Sequence, residues 1–413
     1  MMDLAKKIFR GDRVIWMIFL FLCLISIVEV YSASSVLTFT RNYWQPIMKH
    51  TMFLLLGATV VLLIHSLNPK YFWIFAVTLP FVWILLTATL FVGETVNNAN
   101  RYILGFQPSE MAKPALISCV AFILSQQKAE KSKKLIFKLI WIFTVITCCL
   151  ILIDNFSTGA LLYCVIGVMM FIGQIPYKKM GKFVLATLAF LILLFMFIWF
   201  FPDAAKEVGL KRGVLWIERI KQHSEKQDIR KGTYVITDDN YQITQANIAV
   251  ARGGIFGKMP GNGQQRDFLP QAYSDFIYAI IIEETGIIGG VFVLSLYVFL
   301  FIRAGIVAER CKKLFPKFLV MGSALMLVIQ ALLNMAVSVG LMPVTGQPLP
   351  LISKGGSSIL ATCTFIGIIL SVSRFENRKG IRMEEKIEEE FEEERRLAIE
   401  DETSMYNNVY QRK

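Results

Sequence analysis

The sequence predicts an all-α polytopic membrane protein of about ten transmembrane helices. Both termini are expected on the cytoplasmic side, with a large extracytoplasmic loop between helices seven and eight. Three observations predict it. Of the 413 residues, 55% are hydrophobic, more apolar surface than a soluble chain of this size needs. Apolar runs of about 20 residues recur, each long enough to cross a hydrocarbon core. Lys and Arg gather in alternate loops between those runs, as the positive-inside rule requires of cytoplasmic loops.

The elements follow in order. A basic start (Lys6, Lys7, Arg10, Arg13) runs straight into a first helix over Val14–Ser34, a retained signal-anchor and not a cleaved signal. Glu29 lies inside it. A carboxylate at membrane depth is costly, so it faces a partner or a wet cavity. The second helix is expected over Met48–Leu67 and the third over Tyr71–Val92. The polar loop GETVNNANRYILGFQPSEMAKPAL leads into the fourth, where Pro108 suits the first turn. Glu110 and Lys113, three apart, share one face of that helix. They form either a helix-anchoring salt bridge or the wall of a polar cavity. QQKAEKSKK separates them from a fifth helix over Lys138–Ile153. The sixth covers Thr158–Ile175 and ends at Lys178, Lys179 and Lys182; the seventh covers Phe183–Phe201.

The long segment Pro202–Ser274 then lies outside. In it Val214, Leu215, Trp216, Ile217 and Ile220 alternate with Arg212, Glu218, Arg219 and Lys221, the pattern of a short helix lying on a bilayer surface. The eighth helix, Asp275–Arg303, carries Glu283 and Glu284. These bond neighbouring helices, the favoured reading, or relay protons. The ninth, Phe318–Val339, carries Gln330 and Asn334, read as interhelical bonds. GLMPVTGQPLPLISKGGSSIL holds too much Gly and Pro for a regular helix. Irregular backbone at this depth is tolerated only inside protein or beside water. A tenth helix covers Ile352–Val372. The Gly355–Ser358 run presents N–H and hydroxyl donors at its start, a suitable place for a phosphate. Lys354 beside it either binds a diphosphate or snorkels. Residues 1–374 thus form the membrane domain and residues 375–413 a charged cytoplasmic tail.

Composition excludes several function classes. The formal charge is +12, but the tail from Glu376 to Lys413 holds 8 basic and 12 acidic residues. The positive charge lies in short loops between apolar runs, which is membrane topology and not a nucleic-acid groove. Six of the seven cysteines lie in apolar runs, without disulfide or metal spacing. The three histidines (His50, His65, His223) are scattered, and no Walker or dinucleotide fingerprint is present. Chemistry must come from carboxylates and cations at the outward face.

The most informative stretch is RGGIFGKMPGNGQQRDFLPQAYSDFIYAIIIEETGIIGG, from Arg252 to Gly290. A Gly-rich polar loop delivers a carboxylate, Asp275, to the mouth of an apolar run. GGIFGK, GNG, LPQAYSDFI and EETG stand here in the order found in the SEDS family, the FtsW/RodA/SpoVE group, and the stretch resembles that signature closely. QPSEMAK around Glu110 and the GLMPVTGQPLPLISKGGSS run are similar to further family elements. Gln271, Tyr273, Ser274 and Lys354 depart from common family residues. The VYSAS segment and the overall pattern lean to the division branch.

The resemblance implies a glycosyltransferase that polymerises the lipid-linked cell-wall precursor lipid II. The 4-hydroxyl of an acceptor GlcNAc attacks the anomeric carbon of a donor MurNAc, and undecaprenyl diphosphate leaves. It implies Asp275 as general base, within hydrogen-bond reach of that hydroxyl. The leaving diphosphate needs cations or oriented donors. Arg101, Glu110, Lys113, Arg219, Lys354 and Ser357 are the substrate-binding candidates. No metal ligand set is readable, although a divalent cation, Mg or Mn, fits the chemistry. The expected partner is a class B penicillin-binding transpeptidase, with other division proteins and no nucleic acid. Two other readings remain: a lipid II flippase, and a non-catalytic divisome scaffold recruiting through its tail.

Overall fold

The computed structural model describes residues 10–33, 45–96, 99–103, 105–127, 130–200, 240–269 and 272–377. The first helix, α1, spans Arg13–Ala33. Asp12 caps it: Oδ1 accepts the backbone N–H groups of Val14 (2.9 Å) and Ile15 (3.2 Å), donors that a helix start leaves orphaned. α2 covers Gln45–Ser66. The expected third span is two pieces. After a 3-10 turn at Pro69–Phe72, α3 (Trp73–Val77) and α4 (Leu79–Val92) meet at a 41° bend. Pro80 sits in the first turn of α4, where its missing N–H is not needed.

The polar loop that follows carries the one small strand pair among the described residues of a nearly all-helical chain. β1 (Glu94–Val96) pairs antiparallel with β2 (Ala99–Tyr102) in a small hairpin. α5 (Pro108–Ser125), α6 (Glu130–Asp154), α7 (Phe156–Ile172) and α8 (Tyr177–Phe200) follow. Asn155 caps α7, its side chain accepting from Thr158 N at 3.3 Å. α9 (Tyr241–Gly253) and the single-turn α10 (Gln265–Phe268) lie within the expected outer loop. α11 (Ile277–Arg310), α12 (Leu314–Ser338) and α13 (Gly356–Asn377) complete the chain.

Six helices among the described residues are long and apolar enough to cross a membrane, and the bent pair α3/α4 makes seven. The chain is a multi-pass membrane protein. α5, α7 and α8 stand where the sequence places the fourth, sixth and seventh spans but fall outside that count. The surface helix expected around Trp216 and the charged tail lie outside the described residues.

The eighth span differs most from expectation. It begins at Ile277, not Asp275, and runs on to Arg310. It is also broken at Gly286, whose φ of 75° and ψ of −176° are non-helical. The break orphans backbone groups on both sides, and the GGIFGKM loop supplies partners for them. Lys258 N donates to Glu283 O (2.9 Å) and Met259 N to Glu284 O (2.8 Å). In return Ile287 N donates to Gly254 O (3.0 Å) and Ile288 N to Ile255 O (3.4 Å). Such close backbone approach needs glycine. A Cβ on Gly257 would lie 2.2 Å from Glu284 O, and one on Gly286 2.1 Å from Ile255 O.

Side-chain bonds fix which helix ends lie together. Arg303 near the end of α11 pairs with Asp12 at the start of α1. His65 Nε2 at the end of α2 bonds Arg10 O (2.7 Å), and Arg374 near the end of α13 donates to Ser66 O (2.6 Å). The Gly286 break is therefore toward the opposite end of the bundle from the N-terminus, and Asp275 stands at the head of the short arm before it, which folds back so that Tyr278 OH donates to Gly290 O (3.1 Å). One apolar core runs through the spans. A second, smaller cluster of Ala33, Ile243, Ala246, Ala249, Leu269, Ala272, Phe276, Ala279, Ile280, Val337 and Val344 lies under α9 at the Asp275 end. Its many alanines let α9 lie close against the head of α11.

Candidate functional site

Residues Ala272–Phe276 form the turn that leads into α11, and two segments hold it. Ser353 Oγ donates to Ser274 O (2.5 Å), Lys354 N to Tyr273 O (2.9 Å), and Asn334 Nδ2 of α12 to Asp275 O (2.9 Å). The backbone of Asp275 is thus latched from two sides, while its side chain stays partly exposed. Ser274 Oγ donates to Oδ1 (3.0 Å). Oδ2 faces the bend at Gly346: a Cβ built there would be 3.7 Å away.

The irregular segment between α12 and α13 is tied down from many directions. Asn334 Nδ2 also donates to Gln347 O (2.8 Å), Gln330 Nε2 to Pro348 O (2.9 Å), and Tyr297 OH to Pro350 O (2.6 Å). Ser26 Oγ donates to Ile352 O (3.0 Å), and Gln347 Nε2 donates to Thr158 Oγ1 (2.8 Å). Three helices (α1, α11 and, twice, α12) thereby satisfy backbone that has no regular partner, the condition for irregular chain at this depth, while α7 holds the Gln347 side chain. The tenth helix starts at Gly356, four residues later than expected, because these bonds hold Leu349–Ser353 in turns, with Leu351 at a φ of 66°.

Glu110 and Lys113 are both buried; Lys113 is 1% exposed. Lys113 Nζ bonds Glu110 Oε1 (2.7 Å) and Gln330 Oε1 (3.3 Å). Gln330 in turn holds Pro348 O, so the pair forms the wall under the irregular segment. Lys354 lies above Tyr273, its Nζ 4.7 Å from the ring centroid. Burial, and then the nearby Lys49 ammonium, lower its pKa from the ordinary lysine value. Ser357 is buried in the first turn of α13. Arg101 lies on β2, away from these latches in the chain. Arg219 lies outside the described residues. Asp275 and Lys354 are brought together by direct bonds between their segments; Ser357 follows three residues on.

Sequence reasoning missed Thr345 and Gln347 and read Asn334 only as an interhelical bond. Asn334 Oδ1, Thr345 Oγ1 and Gln347 Oε1 are buried and have no protein hydrogen-bond partner. All three lie at the bend that faces Asp275. Unpaired buried polar atoms cost free energy unless water or a ligand meets them. Thr345 and Gln347 are polar residues in an apolar stretch, a signal that was available.

Glu283 and Glu284 are committed elsewhere. The Glu283 carboxylate accepts the N–H groups of Gln264 and Gln265 (3.1 and 3.2 Å to Oε1), capping α10. Glu284 Oε1 accepts from Ser32 Oγ and lies 3.8 Å from Arg266 Nη1. Glu29 is buried on the same face of α1, and its Oε2 has no hydrogen-bond partner. Among the described residues no group of three or more His, Cys, Asp or Glu is placed to hold a metal ion.

Comparison with known proteins agrees with this architecture. The model of the family FTSW_RODA_SPOVE, described as cell cycle protein, matches residues 12–378. A protein of Geobacter metallireducens is 31% identical over 383 residues, covering 89% of this chain and 96% of its own length. One of Haemophilus influenzae is 31% identical over 383 residues, with 89% and 91% covered. Both are called probable peptidoglycan glycosyltransferase FtsW. A chain from a structure of a peptidoglycan synthase complex superposes with a TM-score of 0.67 at 22% identity, covering 89% of this chain and 98% of that one. The crystal structure of Thermus thermophilus rod shape determining protein RodA gives 0.61 at 24% identity, with 88% and 97% covered.

Proposed function

The chain belongs to the FtsW/RodA/SpoVE family, and from that premise we propose that it is a peptidoglycan glycosyltransferase acting in septal cell-wall synthesis. It polymerises lipid II into glycan strands at the outer face of the bacterial cytoplasmic membrane, at the division septum. The observation that carries this reading is the partly exposed carboxylate of Asp275, latched by its backbone and facing a bend whose buried polar atoms lack protein partners.

In the proposed reaction Asp275 takes the proton from the acceptor 4-hydroxyl as the oxygen attacks the donor anomeric carbon. A base must be within hydrogen-bond reach of the proton it removes, and a turn latched through its backbone carbonyls holds the carboxylate in place. The bond from the anomeric carbon to the diphosphate oxygen breaks, and negative charge gathers on undecaprenyl diphosphate. Lys354 and the N–H and hydroxyl groups at Ser357 receive that charge. Arg101 and Arg219 are further candidates for the same anion. Glu110 and Lys113 act from beneath, holding Gln330 and through it the bend. A magnesium or manganese ion entering with the diphosphate would offset its negative charge. The partner is a class B penicillin-binding transpeptidase, which crosslinks the strands, together with other division proteins.

The test is a glycan-product gel from purified chain, lipid II and the transpeptidase partner. Wild type is expected to give polymer and Asp275→Asn none. Polymer from Asp275→Asn at the wild-type rate would remove Asp275 as the base. Flipping of lipid II that fails in Asp275→Asn, with polymerisation intact, would point to transport instead.

A further inference from the structure

The loop that closes the Gly286 break carries an apolar surface that the proposed reaction does not use. Ile255, Phe256 and Met259 are 61%, 79% and 67% exposed. They continue directly into Ile287, Ile288 and Val291 on the outer half of α11, which are also exposed. The two groups are joined by the Ile287–Gly254 and Ile288–Ile255 backbone bonds, so they form one patch. Large contiguous apolar patches mark binding surfaces for protein or membrane.

Two independent measures place this patch in the bilayer. The Asp12–Arg303 pair fixes one level at the N-terminal end of the bundle. From Arg303 to Ile287, sixteen helical residues rise about 24 Å. From Asp12 to Ser32, which bonds Glu284 just before the break, twenty residues rise about 30 Å. A hydrocarbon core is about 30 Å thick, so with the Asp12–Arg303 pair at the inner boundary the two routes put the break at the outer boundary or within about 6 Å of it. Irregular backbone can occupy that level only if its polar groups are satisfied internally. The four reciprocal bonds across the break do this, and they leave the side chains of Ile255, Phe256 and Met259 free to face outward.

We infer that the Gly254–Met259 loop is inserted in the outer-leaflet boundary of the bilayer, with Ile255, Phe256 and Met259 among the acyl chains and Lys258 at headgroup level. Lys258 is exposed between these apolar residues, and a lysine there extends its stem along apolar surface and its ammonium into the phosphates. The loop connects through α10 to the Asp275 turn, so this insertion sets the height of the turn relative to the lipid headgroups. The inference rests on the chain spanning a membrane, not on its chemistry.

The experiment is a Phe256→Trp variant of the full chain in phosphatidylcholine–phosphatidylglycerol proteoliposomes, read as a difference spectrum against wild type. The substitution is mild at so exposed a site. The expected added emission is blue-shifted, and it is quenched by lipids brominated near the ester end of their acyl chains more than by aqueous acrylamide. Red-shifted emission quenched by acrylamide alone would place the loop in water and overturn the inference. Quenching by neither agent would place it under another segment of the protein and overturn it equally. A Phe292→Trp control, at an exposed site on α11 about 16 Å above Arg303, is expected to be quenched more by lipids brominated near the chain ends than by those brominated near the ester end.

Discussion

At the Gly286 break, backbone bonds to backbone; between Gln347 and Ile352, backbone bonds to side chains from surrounding helices. Both segments are irregular and both lie beside the candidate site. The first tolerates almost no change in its glycines, because two chains approach within a hydrogen bond of each other. The second spreads the same task over Ser26, Tyr297, Gln330 and Asn334. The difference separates what is built for rigidity from what is built to face a ligand. At the break the backbone groups are met within the protein, whereas the bend opposite Asp275 keeps buried polar atoms in reserve.

The sharpest way to break this comparison is to crowd the interlock. Gly257→Ala and Gly286→Ala each place a Cβ far inside van der Waals contact with a carbonyl oxygen, at 2.2 and 2.1 Å. Loss of monodisperse protein after detergent extraction is the expected outcome. Gly254→Ala is the matched control. No atom lies within 4 Å of its Cβ and only its backbone conformation (φ 54°, ψ −148°) opposes alanine, a cost of about 1–3 kcal/mol. Equal yields from Gly257→Ala and Gly254→Ala would refute the interlock.

The next largest effect contrasts acids in the two regions. Asp275→Asn should lower polymerisation by about 10²–10⁴-fold, the range for loss of a general base, with thermal stability unchanged. Glu283→Gln should do the opposite. It weakens a cap that holds α10, costing about 1 kcal/mol, and spares most of the turnover. A Glu283→Gln enzyme as inactive as Asp275→Asn at equal stability would show that the two acids share the chemistry.

Asn334→Leu tests the second region alone. It removes the donor shared by Asp275 O and Gln347 O, at roughly 1–3 kcal/mol, although Ser338 Oγ still lies 3.5 Å from Asp275 O. A lower melting temperature together with a fall in kcat is expected, because the latch on the Asp275 turn is lost. A stability loss with kcat intact would mean that Asn334 packs the helices without positioning the base.

How much of this was legible beforehand follows the same division. Long apolar runs announce their helices, and a carboxylate ahead of such a run announces a site, so the spans and Asp275 could be read directly. The break at Gly286 could not: EETGIIGG reads as continuous helix because one glycine costs a helix only about 1 kcal/mol. Its conformation is decided by a loop that lies nearly thirty residues earlier in the chain. The role of Glu283 as a cap and the buried state of Lys113 are likewise set by long-range partners. The polar atoms of Thr345 and Gln347 were visible as residues but not as a cluster, since only the bend brings them opposite Asp275.

The smallest expected effect is at Lys354, where stability and function should move in opposite directions. Its ammonium is partly buried beside Lys49, and both influences depress its pKa in the folded chain. A cation with a depressed folded pKa opposes folding below that pKa, and the penalty fades as pH rises toward the unfolded value near 10.5. Lys354→Met removes the charge while keeping the apolar stem over Tyr273. The variant should therefore melt at or slightly above wild type at neutral pH, with the advantage disappearing by about pH 10.5. Polymerisation should nevertheless fall by about tenfold, less than the 10²–10³ of a fully buried oxyanion donor, because a half-buried charge is partly screened. The deficit should narrow as wild-type Lys354 itself loses its proton at high pH. An activity loss constant across pH, or one that tracks a lower melting temperature, would assign Lys354 to packing on Tyr273 and leave the diphosphate to other cations.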